Sequence, residues 1–193
     1  MYPNALWNFN RSDKVLYLTF DDGPIPELTD WVLEELKKYQ AKATFFCVGA
    51  NIEKHPELFA RILSEGHQAG NHTMFHTKGF HTSTEAYLKE AAECRLLVKS
   101  ALFRPPYGKM THAQYKGLLK QGYQVVMWDV ISYDYEKISP DECFQKVKNN
   151  CKNGSIVLFH DNIKATDNMK HALSETLLYF SGLGYRFEAI ALD

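Results

Sequence analysis

The chain has 193 residues, ordinary apolar and charged fractions and a net charge of −1. This length fits one domain with a substantial core, and we predict a single domain over residues 1–193. No basic block is present, which argues against nucleic acid as a partner, and no apolar run reaches the length of a membrane span.

The start of the chain lacks the features of a secretion signal. Its first ten residues, MYPNALWNFN, contain neither a basic stretch nor an apolar core. We therefore expect the chain as given to remain in the cytoplasm. The four cysteines include no CxxC pair, which predicts reduced and mostly buried thiols.

Short apolar runs rich in β-branched and aromatic residues alternate with longer amphipathic stretches. In chain order these predict strand 15–20, helix 27–39, strand 43–48, helix 56–65, strand 68–72, helix 83–99, strand 102–103, helix 111–120, strand 124–130, helix 140–150, strand 156–160, helix 167–180 and strand 185–191. The alternation indicates a mainly parallel sheet covered by helices. Either an open doubly wound sheet or a distorted (β/α) barrel fits this pattern, and about seven strands with one layer of helices favour an imperfectly closed barrel, with its active site at the carboxyl ends of the strands.

Two adjacent carboxylates, Asp21 and Asp22, follow the first predicted strand within the sequence TFDDGP. Neighbouring carboxylates at a strand end are costly unless a cation neutralises them. Side chains that are adjacent in an extended backbone point apart, so one carboxylate can bind a metal while the other acts as a base. The alternative is an ordinary Asp-Gly turn with solvated carboxylates.

Two histidines four residues apart, His72 and His76, follow the third predicted strand. They lie on one face if the chain takes a helical turn there, which is a common spacing for metal ligands. Two histidines and one carboxylate suit zinc with an open coordination position, and they also suit iron or cobalt. The alternative is a pair of histidines that bind no metal.

Two further strand ends carry polar residues. The sequence RPPY at 104–107 is stiffened by its prolines, and it can hold Arg104 inward and direct a backbone N–H at a ligand. His160 ends the strand predicted at 156–160. Taken singly, these signals also fit an exposed arginine in a rigid loop and a histidine with only local hydrogen bonds. Together, polar residues follow four different strands at one rim: Asp21, Asp22, His72, His76, Arg104 and His160.

These motifs, in this order, resemble those of the NodB-homology polysaccharide deacetylases, carbohydrate esterase family four. The four motifs are TFDDGP at 19–24, HTMFH at 72–76, RPPY at 104–107 and LFH at 158–160, and the similarity runs from about residue 15 to about residue 191. The resemblance implies a distorted (β/α) barrel. It also implies a metal-dependent hydrolase that removes N-acetyl groups from an N-acetylglucosamine-containing glycan or oligosaccharide.

The resemblance also implies a role for each site residue. The substrate would be an acetylated amino sugar, and the cofactor would be a divalent metal, preferably zinc. A backbone N–H near Tyr107 would stabilise the oxyanion, and two side chains would line the acetyl pocket. The implied metal ligands are Asp22, His72 and His76; the catalytic residues are Asp21 as base, His160 as acid and Arg104 as the partner of Asp21; the substrate-binding residues are Tyr107, Leu158 and Trp128.

One motif departs from the family pattern. The family often carries D-S-x-D-W, in which the first Asp pairs with the catalytic histidine, and here Ile131 stands in place of that Asp. Asp129 lies two residues earlier on the same face of an extended strand, so it is a candidate substitute; the alternative is a structural role for Asp129. Tyr135 replaces the Trp.

Other functions remain open at this point. An O-acetyl esterase or a hydrolase of small amides would use the same residues. A non-catalytic carbohydrate-binding domain on this scaffold should have lost the base or a metal ligand, and none is lost here. A metal-stabilised structural protein would need a fourth protein ligand; the rim residues offer no obvious one, and only His81 is left open.

Overall fold

The computed structural model of the chain describes residues 2–191. The strands in this range are β1 (Val15–Asp21), β2 (Ala43–Cys47), β3 (Gln68–Asn71), β4 (Leu102–Phe103), β5 (Gln124–Val125), β6 (Val130–Ile131), β7 (Ser155–His160) and β8 (Arg186–Phe187). The α-helices are α1 (Leu28–Lys38), α2 (Gly49–Lys54), α3 (Pro56–Ser64), α4 (Thr84–Val98), α5 (His112–Lys120), α6 (Pro140–Asn150) and α7 (Thr166–Gly182). Within the described range, none of these helices combines the length and the apolar character that crossing a membrane requires.

The strands form one sheet in the order β5-β4-β3-β2-β1-β7-β6, and β8 pairs with the start of β1. Each pairing between named strands is parallel. The sheet is curled and helices surround it, which confirms the predicted distorted (β/α) barrel. The carboxyl ends of the strands therefore meet at one rim.

The strand predicted at 124–130 is wrong as a single element. It divides into β5 and β6, which lie at opposite ends of the sheet, and residues 126–129 cross the gap between them. The N-terminal segment occupies this gap, where Leu6 donates its N–H to Val125 and accepts one from Met127 at 2.8 and 2.7 Å. Residues 124–130 form one mostly apolar stretch in the sequence, but the backbone of β5 pairs with β4 whereas that of β6 pairs with β7.

The two faces of the sheet have different environments. The rings of Phe20, Phe45 and Phe159 stack on the outer face, with centroid separations of 5.0 and 5.8 Å from Phe20, and belong to the core that α1 and α7 cover. Complete burial of such a side chain contributes roughly 1.5–3 kcal/mol. The paired positions Asp21 and His160 alternate with these rings, so their side chains point to the barrel interior.

Helix α2 was missed by the sequence analysis. It has six residues, of which only Gly49 and Ile52 are buried, so it is too short to show a helical period. The other helices begin and end close to the predicted residues. Ser83, for example, caps α4 by accepting the N–H of Ala86 at 3.2 Å, as predicted.

Two findings concern residues away from the rim. Three of the four cysteines are buried, in agreement with the prediction of mostly buried thiols: Cys47, Cys94 and Cys143. No pattern in the sequence indicates that His67 is internal, yet it is buried, and its Nδ1 accepts the N–H of Ala43 at 3.1 Å. Burial and, secondarily, the charge of Lys42 lower the pKa of His67 to about 4.

Candidate active site

Three of the predicted residues converge at the carboxyl ends of β1 and β3. One ligand atom from each of Asp22, His72 and His76 lies within 4.8 Å of the other two. Nε2 of His76 is 3.1 Å and Nε2 of His72 is 3.6 Å from Oδ1 of Asp22. Among residues 2–191, this is the group with the composition and spacing of a metal site, and the exposed His81 is not part of it.

The donor set fits a divalent cation. Oδ1 of Asp22 is buried and has no hydrogen-bond partner within residues 2–191, although two imidazoles face it. An unsatisfied buried carboxylate oxygen is costly, and a cation at this position would remove the cost. His72 is also held in the tautomer that a metal needs: its Nδ1–H donates to the carbonyl of Arg104 at 2.8 Å, so the Nε2 lone pair faces the site.

The segment that carries both histidines does not form the helical turn that would by itself place them on one face. Thr73 and His76 take left-handed conformations, with φ of 63° and 55°. Such conformations are rare for a β-branched residue and need support from their surroundings. The start of α2 provides it, because the N–H groups of Gly49 and Ala50 donate to the carbonyls of Thr73 and Met74 at 3.0 and 2.9 Å.

Asp21 lies beside the metal group and is fixed by a buried arginine. Nη1 of Arg104 donates to Oδ1 of Asp21 at 2.8 Å, while Oδ2 of Asp21 remains 3.8 Å from Nε2 of His72. Arg104 is fully buried, and its other donors reach Thr19 and the carbonyls of Val126 and Met127. Burial lowers the pKa of Arg104, which Asp21 opposes. The guanidinium therefore joins Asp21 to the segment that crosses the barrel gap.

His160 faces Asp21 across the site, and its partner is Asp134. Nδ1–H of His160 donates to Oδ1 of Asp134 at 2.7 Å, and the His160 backbone N–H donates to Oδ2 at 2.7 Å. Burial alone would lower the pKa of His160, but the hydrogen bond and charge of Asp134 outweigh it and raise the pKa to about 9. The imidazole therefore carries a proton at neutral pH.

The suggestion that Asp129 substitutes for the missing carboxylate at Ile131 is wrong. Asp129 accepts hydrogen bonds from the Ile156 N–H and the Ser155 hydroxyl, and it pairs with Arg11. Ile131 ends β6, and the chain then turns, with Tyr133 at φ 58°, so that Asp134 comes under His160. The partner of His160 is therefore Asp134, which stands at the second acidic position of the D-S-x-D-W motif.

A cavity of about 650 Å³ opens over these groups. It reaches from the metal group to His160, and its remaining wall is mostly apolar or aromatic. Tyr107 is about half exposed and takes φ 59°, and its ring lies 4.7 Å from that of His76. The wall includes the three residues predicted to bind substrate, together with two that were not assigned: Tyr107, Leu158, Trp128, Ile131 and Tyr135.

Two residues that come after His160 were not assigned by the sequence analysis. Asn162 donates from Nδ2 to Oδ2 of Asp22 at 2.6 Å. Asp161 is buried and accepts from the Gly23 N–H and the Thr29 hydroxyl at 3.0 and 2.6 Å. Burial raises the pKa of Asp161 to about 7. The sequence did offer a signal for these two residues, because Asp161 and Asn162 continue the polar run that begins at His160. Successive polar side chains at a strand end can each contact a different neighbour at the rim.

Comparison with known proteins identifies the family. The model of the polysaccharide deacetylase family matches residues 9–126. A peptidoglycan-N-acetylglucosamine deacetylase of Bacillus cereus is 33% identical over 96% of this chain and 90% of that protein. A chitooligosaccharide deacetylase of Rhizobium leguminosarum bv. trifolii is 32% identical over 77% of this chain and 72% of that protein. The chain spans only 57%, 38% and 39% of the length of three further peptidoglycan deacetylases that it matches.

A solved structure agrees with this assignment. The crystal structure of the Bc1960 peptidoglycan N-acetylglucosamine deacetylase, in complex with 4-naphthalen-1-yl-N-oxidanyl-benzamide, superposes with a TM-score of 0.89. It is 30% identical, and the match covers 97% of this chain and 91% of that one. The chain therefore belongs to the polysaccharide deacetylase family, which confirms the prediction from its four motifs that it is a carbohydrate deacetylase.

Proposed function

We propose that the protein hydrolyses the N-acetyl group of N-acetylglucosamine units in a glycan or oligosaccharide, with zinc held by Asp22, His72 and His76. The observation that carries this proposal is the arrangement around one cavity. A carboxylate–imidazole metal group lines the same cavity as members of two ion pairs, Asp21 with Arg104 and Asp134 with His160. Acetamide hydrolysis needs a base and an acid on opposite sides of the reacting carbon, and this arrangement supplies both.

The three metal ligands leave a coordination position for water or substrate, as in catalytic zinc sites. When bound, zinc would lower the pKa of a water molecule and polarise the acetamide carbonyl. Asp22 would bind the metal through Oδ1, the oxygen that accepts no hydrogen bond among residues 2–191. His72 would bind it through Nε2, because its Nδ1–H is engaged by the carbonyl of Arg104.

Asp21 acts as the general base in this proposal. Its Oδ1 is engaged by Arg104, so Oδ2 is the oxygen free to accept the proton of the attacking water. The guanidinium is the buried counter-charge of this carboxylate. The other donors of Arg104 are taken up by barrel atoms, so the arginine is not free to leave Asp21.

His160 acts as the general acid, and its Nε2–H donates the proton to the departing amine. Asp134 holds Nδ1–H, which directs Nε2 at the cavity, and its charge keeps the imidazolium protonated at neutral pH. Asp21 and His160 are directly paired residues on β1 and β7. The backbone positions of the base and the acid are therefore separated by the spacing of two neighbouring strands.

Apolar wall residues complete the site. Leu158 is buried, lines the cavity and, with Trp128, is suited to contact an acetyl methyl group. The left-handed conformation of Tyr107 turns the backbone of the RPPY loop at the rim, beside His76. A backbone N–H in this loop is our candidate for stabilising the oxyanion. Tyr135, which contacts His160 edge to face, offers a surface for a sugar ring.

The test is acetate release by the purified protein from N-acetylglucosamine oligomers and, in parallel, from peptidoglycan. These are the substrate classes of the two named relatives. Release should stop after chelation and return when zinc is added. Matched O-acetylated sugars serve as the comparison, because an esterase would release acetate faster from them. Zinc binding without release from any N-acetyl substrate would contradict the proposal.

A further inference from the structure

The carboxylate of Asp22 has two oxygens in different surroundings. Oδ2 accepts a hydrogen bond from Nδ2 of Asn162 at 2.6 Å. Oδ1 is buried, has no hydrogen-bond partner in the part of the chain that the structure describes, and faces Nε2 of His76 and of His72 at 3.1 and 3.6 Å. Only Oδ1 is therefore placed to bind a metal.

A second hydrogen bond determines which way the Asn162 amide points. Its Oδ1 accepts the N–H of Ala165 at 3.1 Å, because Asn162 caps the 3₁₀ helix Ile163–Ala165. An amide whose oxygen is engaged by a backbone N–H must present its amino group on the other side. The donor that reaches Asp22 is therefore set by the local fold of the segment after β7.

The main chain of Asp22 is fixed separately, through Asp161. Asp161 accepts the Gly23 N–H and the Thr29 hydroxyl, and a Cβ on Gly23 would lie 2.1 Å from its Oδ2. The turn thus packs directly against this carboxylate. With its backbone held at φ 90°, Asp22 keeps only the rotations of its own side chain, and the hydrogen bond from Asn162 restricts how that carboxylate is oriented.

We propose that Asn162 is a positioning residue for the metal, which limits Asp22 to ligation through Oδ1 alone. The inference rests on the metal site of the proposed function. One carboxylate oxygen and two imidazole nitrogens leave zinc an open position, whereas a two-oxygen carboxylate would fill part of it. Loss of such an outer partner lowers metal affinity about 10–100-fold.

The experiment measures zinc affinity, without substrate, by competition with a chromophoric chelator. Two variants remove the contact: Asn162→Ala, and Asn162→Ser, which is too short to reach Asp22 but keeps an oxygen that can cap the 3₁₀ helix. The matched control is Asn150→Ala, where an exposed amide at the end of α6 is removed. Thermal unfolding of the chelated proteins shows whether each variant is folded.

We expect both Asn162 variants to bind zinc about 10–100-fold more weakly, with the control unchanged. We also expect the visible absorption of the cobalt(II)-loaded Asn162→Ser protein to weaken, since a second carboxylate oxygen raises the coordination number. If Asn162→Ser kept the wild-type zinc affinity and the wild-type cobalt spectrum, the role of Asn162 would be overturned and the proposed metal site would stand. Failure of the wild-type protein to bind zinc would overturn the metal site and, with it, this inference.

Discussion

The two halves of the candidate site are positioned by different means. Asp21 and His160 lie at paired positions of neighbouring parallel strands, and hydrogen bonds along β1 and β7 set their separation. His72 and His76 lie in an irregular segment with two left-handed residues, which α2 holds by its first N–H groups. Strand register tolerates little change, whereas a loop keeps its shape only while its supports remain. The proton-transfer pair and the metal ligands should therefore respond to different substitutions.

The largest effect should come from the strand half. In Asp21→Asn the base is lost, so kcat should fall by about 10²–10⁴-fold while zinc is retained. The matched variant Asp22→Asn should lose zinc as well as activity. Kinetics and metal analysis of both proteins, with unfolding curves because Arg104 loses its counter-charge, would test this. Loss of zinc from Asp21→Asn would contradict the assignment of Asp21 as base.

The acid side of the strand half can be separated by pH. In Asp134→Asn the charge that raises the pKa of His160 is removed. A general acid must be protonated, so activity is lost as pH rises through its pKa. Lowering that pKa should move the alkaline limb of the kcat profile to lower pH by about one unit or more, and reduce kcat by about 10²-fold.

Asp129→Asn is the matched control for this variant, since Asp129 bonds to Ile156 and Arg11 rather than to His160. It should lower the free energy of unfolding without moving the alkaline limb. The assignment of Asp134 would be wrong if the limb moved in Asp129→Asn and stayed in place in Asp134→Asn.

The loop half should respond to a change that touches no ligand. A Cβ on Gly49 would lie 2.4 Å from Sδ and 3.2 Å from Cα of Met74. Gly49→Val should therefore displace the segment between the histidines, weaken zinc binding and lower the free energy of unfolding by about 1–3 kcal/mol. At Gly182, where an added Cβ has no heavy atom within 4 Å, the same substitution is the control. Equal zinc affinity in the two variants would show that α2 does not support the loop.

The smallest effect on the site should come from substituting His67, which lies at the opposite end of the strands. The pKa of His67 is lowered to about 4 in the folded protein. Its unfolded value is near 6.5, so the unfolded state binds more protons between these values and stability is lost as pH falls from 6.5 towards 4. The loss due to His67 is at most roughly 3 kcal/mol.

Denaturant unfolding at several pH values, compared between the wild type and His67→Gln, would measure this contribution. Activity at neutral pH should be the same in both proteins because His67 lies before β3 and outside the cavity. An identical acid dependence of stability in the two proteins would contradict the buried, neutral state of His67.

Much of the site was predictable because its residues lie at the ends of apolar strands. The pattern at 15–20 and at 156–160 predicted β1 and β7 to within one residue, and the barrel hypothesis then placed the polar residues at their carboxyl ends on one rim. Asp22, His72 and His76 did come together there. The conformation that brings the two histidines together was left open, because their spacing alone does not distinguish a helical turn from a loop that is held by a neighbour.

The partner of His160 was not predictable in the same way. Asp129 and Asp134 are both near β6 in sequence, and an extended strand would have favoured the former. The strand ends at Ile131 and the chain reverses at Tyr133, which is a left-handed residue without the glycine that usually signals one. Which carboxylate reaches the imidazole depends on that reversal.

The sequence by itself determined the chemistry available at the rim and the strand ends that carry it, because apolar alternation and polar termination are local properties. The tertiary structure decided which groups pair: Asp134 with His160, Asn162 with one oxygen of Asp22, and Arg104 with the segment across the barrel gap. Those pairings join residues up to 140 positions apart. They depend on sheet order and on loop conformations that no local pattern encodes, since each is stabilised by contacts formed only when the barrel closes.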